Sequence, residues 1–341
     1  MGLIARQVNK LQDAPFPDFM TREAIALLVA NARRQLTNPP ADIEPRFAKE
    51  MALRRVAEHT DAANVQHYEL PARFFELVLG PHRKYSSGLY ERPDATLEEA
   101  EAAALALTCE HADLADGQRI LELGCGWGSL SLWMAQRYPN ARITAVSNSR
   151  GQKASIDARA AELGLTNLSV ITADMNVFIT DGVFDRIVSV EMFEHMANWR
   201  ALLQRVRDWL APEGRVFIHV FAHREAPYRF EVSDNSDFIA QHFFTGGVMP
   251  SRGLIRQYAD LLAVEEEWRW SGTHYERTAY DWLANFDRNT AEIRGLMNEV
   301  YGPDARLWMR RWRRFFMATA GLFGDSHGQV WGVSHYRLKG A

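Results

Sequence analysis

The stretch ILELGCGWGSL, residues 120–130, constrains the fold more than any other part of the chain. An apolar run of strand length ends in glycines at 124, 126 and 128, and a helical pattern, SLSLWMAQRYP, follows at once. Glycine lets a backbone take positive φ and lets a ligand approach closely. Strand, glycine turn and helix in that order open a βαβ unit. The alternation then continues: ARITAVS reads as a strand, RGQKASIDARAAELG as a helix, LSVITAD and FDRIVSV as strands, NWRALLQRVRDWLAPEG as a helix and RVFIHVF as a fifth strand. These strands are nearly continuous apolar runs, the pattern of a parallel sheet covered on both faces. The expected fold is therefore α/β, a mostly parallel sheet with helices on both sides and right-handed crossovers.

The flanking segments have their own signals. Helical patterns run from Phe19 to Leu36, where Asn38-Pro39-Pro40 stops the first, and from Pro45 to His59. In HYELPARFFELVLG, 67–80, Pro71 opens a short helix with Phe74, Phe75 and Leu77 inward. KYSSGLYERPDATLEEA, 84–100, reads as loop, and Thr96 with Glu99 forms a capping box for a helix reaching Cys109. Residues 224–260, with SDNSD and QHFFTGGVMPS, break the rhythm; so long a connection is expected to be a lid or substrate wall. Helices follow at 278–299 and 303–320, and LAVEEEWRWSG and QVWGVSHYRLKG are expected to complete the sheet. The domain reading is a helical extension, 1–66, and a catalytic domain, 67–341, with cap segments at 224–260 and 278–320.

Composition narrows the function. Lys and Arg number 39 against 43 Asp and Glu, a net charge of −4, so nothing draws the whole chain to nucleic acid or anionic lipid. One local exception is RLWMRRWRRFFMATAGLF, 306–323, in which arginines 306, 310, 311, 313 and 314 interleave with Trp308, Trp312 and Phe315. It reads as an interfacial helix or as a surface helix packed by its aromatic stripe. Cys109 and Cys125 form no CxxC and no disulfide framework, which points to a reducing, cytoplasmic setting. MGLIARQVNK lacks the apolar core of a secretory signal, Arg6 stands where the myristoylation pattern needs serine or threonine, and no apolar run is long enough to span a bilayer. No metal is expected, since His219 and His223 lack a convincing third ligand.

The glycine turn lacks the GK[ST] ending that grips phosphates, and Glu122 before it would repel a pyrophosphate. An acid there suits a cation, such as the amine and sulfonium of S-adenosylmethionine (SAM). Asn148 and Gln152, after the second strand, are placed to bond ribose hydroxyls, and Asp174 with Met175, after the third, to meet the adenine. The fourth strand runs into SVEMFEHM, 189–196, at the carboxyl edge where open sheets bind ligands. Buried acids are costly unless paired, and a cationic amine would pair Glu191 and Glu194. A protonated amine has no lone pair for SN2 attack on a methyl group, so a base is required; Glu194 or His195 serves, directly or through water. Plainer roles stay open. His195 could bond within its loop, Glu191 could serve SAM or the fold, and His219 could be a satisfied core histidine, as Tyr275 could be a core tyrosine. His223 shares His219's face of a strand and is within reach of the pocket. Phe193, Phe221, Phe243 and Phe244 wall a pocket or fill the core.

HYELP, KYSSGLY, LEEAE, DGQRILELGCGWGSL, SVEMFEHM, FFTGGVMPS, FFMATAGLFG and WGVSHYRLK together resemble the cyclopropane fatty-acyl-phospholipid synthase superfamily of SAM-dependent methyltransferases, over about residues 67–339. The nearest branch by these motifs is the coclaurine-type N-methyltransferases. The resemblance implies a class I, Rossmann-like SAM-dependent methyltransferase with SAM as methyl donor. It assigns Tyr85 and Ser86 to the methionine part of SAM, Gly124, Gly126 and Gly128 to the cofactor loop, and Glu191, Glu194 and His195 to the amine site. In the lipid branch a bicarbonate ion takes the proton, held by a cysteine, a glutamate, a histidine and a tyrosine. Those positions match Ser87, Glu194, His219 and Tyr275, so serine stands where the family has cysteine, and this counts against bicarbonate. A small amine is the expected acceptor, with an unsaturated lipid as alternative; nucleic acid is not expected, and a dimer is compatible. A SAM-binding scaffold without activity and an RNA methyltransferase are the remaining classes. The intact loop with its polar pocket argues against the first, and the acidic balance against the second.

Overall fold

A computed structural model describes residues 16–58, 70–230 and 243–341. His59, residues 67–69, the SDNSD cluster and Gln241–His242 lie outside the described residues.

The expected strands form β1 (Arg119–Leu123), β2 (Arg142–Ser147), β3 (Leu168–Thr172), β4 (Phe184–Val190) and β5 (Leu210–His223). They pair in parallel; β6 (Tyr228–Arg229) and β7 (Val248–Met249) pair apart from them, and β8 (Leu262–Ser271) and β9 (Trp331–Gly340) complete a seven-stranded sheet in the order β3-β2-β1-β4-β5-β9-β8. β9 runs antiparallel to both its neighbours. The sheet is the Rossmann-like sheet the alternation implied. Strand order reverses at β1, between β2 and β4, which opens a crevice at their carboxyl ends.

Several boundaries differ from expectation. β5 starts at Leu210, not Arg215, because the preceding helix (Trp199–Trp209) stops before Pro212, which biases Ala211 to extended backbone. The added residues enter the ladder through a register shift between Phe184↔Leu210 and Arg186↔Arg215. The single helix expected at 278–299 is two, Gly272–Arg288 and Thr290–Tyr301. Asn289 makes the break: its side-chain amide donates to the Leu77 carbonyl at 2.8 Å, serving a neighbouring segment and not its own helix. The helix expected from Pro45 spans Ile43–Ala52. Pro71 sits at the N-cap of Ala72–Val78, and Phe74, Phe75 and Leu77 are buried as expected. The Thr96–Glu99 capping box is present in both directions.

The arginine-rich segment is the helix Ala305–Gly324. Its Trp312, Phe316, Met317 and Phe323 are buried in the core, beside Phe74 and Phe243. Arg313 forks between Asp18 (2.9 Å) and Asp287 (2.7 Å). The aromatic stripe is a packing face, which sets aside the interfacial reading of this helix. Among the described residues no helix is long and apolar enough to cross a membrane.

Candidate active site

The glycine turn is shaped by two different demands. Gly124 has φ +80°, and a Cβ there would lie 2.5 Å from Met192 Cγ, so both conformation and space require glycine. Gly126 has φ +52° and open space where its Cβ would project, which leaves its backbone free to meet a ligand. Gly128, by contrast, lies outside the cavity lining: it caps the helix Ser129–Arg137 and abuts Ile156.

A cavity opens at the crevice between β1 and β4. It is lined by Tyr85, Ser86, Glu122, Gly124, Gly126, Asn148, Gln152, Asp174 and Met175 on one side, and by Glu191, His195 and Tyr275 on another. Sequence positions from 85 to 275 are thus brought to one space. Gln152 Oε1 accepts from Ser147 Oγ at 2.6 Å, while its buried Nε2 has no partner among the described residues; the Ser129 hydroxyl is in the same state. Unsatisfied donors beside an open glycine are what a polar ligand completes. Glu122 accepts from Ser131, and burial pushes its carboxyl up to about 7. Asp174 accepts from the Asn176 backbone at 2.7 Å. Ala57 and Glu58, from the N-terminal extension, also line the cavity.

Glu191 is the centre of the second side. It directly follows β4 with φ +47°, a left-handed conformation that is uncommon and strained for a residue with a side chain. Its Oε1 accepts from the Ser87 amide at 3.1 Å and faces His219 Nε2 at 3.1 Å; its Oε2 accepts from the Tyr275 hydroxyl at 2.6 Å. Burial pushes the carboxyl up, while the Lys84 charge, Tyr275 and the Ser87 amide pull it down. The Ser87 amide and the Tyr275 hydroxyl donate to it, and these donors with the Lys84 charge favour the ionised carboxylate. Burial and the Glu191 charge hold the Tyr275 hydroxyl well above its usual range, so it stays a donor.

Glu194 sits elsewhere. It is fully buried and absent from the cavity lining, its Oε1 accepts from the Phe221 amide at 2.9 Å, and its Oε2 has no partner among the described residues. Burial first, and the neighbouring Glu191 charge second, push its carboxyl well above the carboxylate range. It is a neutral acid behind the pocket wall. Ser87, His219 and Tyr275, which the resemblance grouped with Glu194 around a bicarbonate, converge instead on the carboxylate of Glu191. His219 meets the cavity only through that carboxylate. His195 lines the cavity, its ring 4.4 Å from that of Phe244, and Phe221 and Phe244 supply aromatic wall. Phe193 and Phe243 are core. His223 does not reach this cavity: its Nδ1 accepts from the Glu225 and Ala226 amides at the far end of β5.

Sequence reasoning missed Lys84 and Glu101. Lys84 is buried, donates to Ser86 Oγ (2.5 Å) and the Ser87 carbonyl (2.6 Å), and is pushed down to about 8 by burial against the pull of Glu191 and Glu101. Glu101, inside the capped helix, accepts from the amides of Gly80, His82 and Lys84 and so clamps the loop that delivers Tyr85–Ser87. A charged residue on the inner face of an otherwise apolar helix was the available signal. Among the described residues no cluster could hold a metal ion.

Comparison with known proteins matches this architecture. The family described as mycolic acid cyclopropane synthetase matches residues 56–333. The (S)-coclaurine N-methyltransferase of Thalictrum flavum subsp. glaucum is 34% identical over 290 residues, 84% of this chain and 80% of that protein. The cyclopropane-fatty-acyl-phospholipid synthase of Escherichia coli (strain K12) is 30% identical over 270 residues, 79% of this chain and 66% of that one. The crystal structure of coclaurine N-methyltransferase bound to N-methylheliamine and SAH superposes with a TM-score of 0.94 at 30% identity, covering 99% of both chains.

Proposed function

The chain belongs to the mycolic acid cyclopropane synthetase family and is a SAM-dependent methyltransferase, and from that premise we propose that it methylates the nitrogen of a small cyclic or aromatic amine. The observation that carries this reading is Glu191, a carboxylate held by donors at the wall of an aromatic pocket. A fixed negative charge between aromatic faces attracts a protonated amine.

SAM, when bound, supplies an electrophilic methyl group on a sulfonium. The Gln152 amide, the Ser129 hydroxyl and the open face of Gly126 fit it; Asn148 and Gln152 take the ribose, Asp174 and Met175 the adenine, and Tyr85 and Ser86 the amino-acid end. Glu191 orients the ammonium, and His195 removes its proton, since a neutral imidazole has a lone pair and suits transfer near neutral pH. Phe221 and Phe244 keep water from the reacting nitrogen. We read residues 1–66 as an extension that closes the cavity through Ala57 and Glu58, and segments 224–260 and 278–320 as its cap. Two buried, free cysteines support a cytoplasmic setting.

Cyclopropanation or methylation of an unsaturated acyl chain is the second reading, favoured by the Escherichia coli relative. Against it, the donors that would hold bicarbonate are engaged by Glu191. The deciding experiment supplies labelled SAM with cyclic and aromatic amines in one set and unsaturated phospholipids in another. We expect one added methylene mass on an amine, with the lipids unchanged. Label on an acyl chain with every amine inert would overturn the proposal.

A further inference from the structure

The hydrogen bonds behind Glu191 do not stop at His219. His219 Nδ1 lies 2.8 Å from His335 Nε2, and His335 Nδ1 lies 2.8 Å from His111 Nδ1. The rings come from β5, β9 and the end of the helix Leu97–His111, so the relay runs from the cavity past β5 and β9 to the end of that helix. His219 and His335 are directly opposed in the β5–β9 ladder and fully buried. His111 is 7% exposed and lies flat on Trp268, the ring centroids 3.8 Å apart.

With Glu191 ionised, the contacts fix every proton. A neutral imidazole has one N–H and one bare nitrogen, and an ionised carboxylate only accepts. His219 must therefore carry its proton on Nε2, toward Glu191. Its bare Nδ1 must accept from His335 Nε2–H. The bare Nδ1 of His335 must in turn accept from His111 Nδ1–H, which leaves His111 in the opposite tautomer to the other two. At His219 or His335 a second proton would put N–H against N–H or leave a contact without an acceptor. Burial keeps the rings neutral, holding His219 and His335 well below the histidine range and His111 down to about 4.

We propose that His335 is a positioning residue for methyl transfer: its Nε2–H locks the tautomer of His219, which keeps the Nε2–H of His219 on the Glu191 carboxylate, and His111 closes the relay. This rests on the reading of Glu191 as the group that orients the amine. Without His335, His219 is free to move its proton to Nδ1. Its Nε2 lone pair would then face Glu191 Oε1 in a site buried from solvent, and the carboxylate would lose both a donor and its position.

Histidine side-chain nitrogens labelled with 15N report the tautomers directly, whatever the enzyme methylates. We expect His219 and His335 as Nε2–H and His111 as Nδ1–H. His219 found as Nδ1–H overturns the proposal, and does so independently of the amine reading. The second arm compares His335→Gln, whose amide can still donate to His219, with His335→Leu, which cannot. His335→Gln should keep kcat for an amine within roughly twofold, and His335→Leu should lose about tenfold or more, with KM for SAM unchanged and the His219 tautomers mixed. Equal rates for the two variants, or a loss in His335→Leu with the His219 tautomer intact, overturn it. Should His335→Leu not fold, the wild-type spectrum still decides.

Discussion

At the scale of single residues, two acids three positions apart in one turn carry opposite charge states. Glu191 is met by donors and lines the cavity, whereas Glu194 is dry, lacks a partner on one oxygen and is held neutral by burial and by Glu191 itself. Like charges in one dry site cannot both persist, and the better-solvated partner keeps the charge. Glu191→Gln removes the charge that orients the ammonium and should lower kcat/KM for the amine by roughly a hundredfold, with little effect on SAM affinity. Glu194→Gln replaces a neutral acid by a neutral amide of the same shape and should stay within about fivefold of wild type. Steady-state kinetics on both variants checks this. If Glu194→Gln is inactive and Glu191→Gln is not, the roles are reversed. The segment SVEMFEHM announced both acids, but its spacing could not rank them, because their difference lies in which distant donors reach them.

At the scale of elements, the fold was legible wherever local chemistry was decisive. The glycine turn, the alternating strands and helices, and the Thr96–Glu99 box all lie where their patterns put them. Thr96→Ala removes an N-cap acceptor and should cost about 1 kcal/mol, read as a shift in denaturant midpoint with the slope unchanged. The arginine-rich helix was ambiguous, since an aromatic stripe beside arginines serves a membrane or a core equally. Its neighbours decided: Trp312 is buried against Phe74 and Phe243. Trp312→Ala should therefore cost about 3–5 kcal/mol in the same measurement. A cost below about 1 kcal/mol would mean that this face is not packed. The break at Asn289 was illegible for a related reason, because the carbonyl that claims its amide belongs to Leu77.

At the scale of the whole molecule, buried ionisable groups make stability depend on pH. Glu122 is 2% exposed, and burial raises it from 4.5 to about 7. Between those values the folded chain holds a proton that the unfolded chain has released. Its contribution is thus fully present below the unfolded value and is lost as pH rises through about 7. Glu122→Gln has no such proton. Relative to wild type, the variant should gain stability as pH rises from about 4 to about 8, by roughly 3 kcal/mol at most. Denaturant titrations of both proteins across that range test it; two parallel pH curves would show that Glu122 is not buried as described. Only the difference is diagnostic, because the buried histidines His219, His335, His111 and His223 are shifted down and act in the opposite sense.

The sequence by itself determined the βα alternation, the glycine turn and the Thr96–Glu99 capping box. Each of these rests on periodicity, capping or backbone freedom, which are properties of neighbours along the chain. Tertiary structure alone decided which acid bears the charge, that His219 reaches the pocket only through Glu191, and that His335 and His111 continue behind it. Those outcomes depend on burial and on donors separated by up to 224 residues in sequence. The free energy of a buried charge is set by what surrounds it in space, and spacing along the chain carries no record of that.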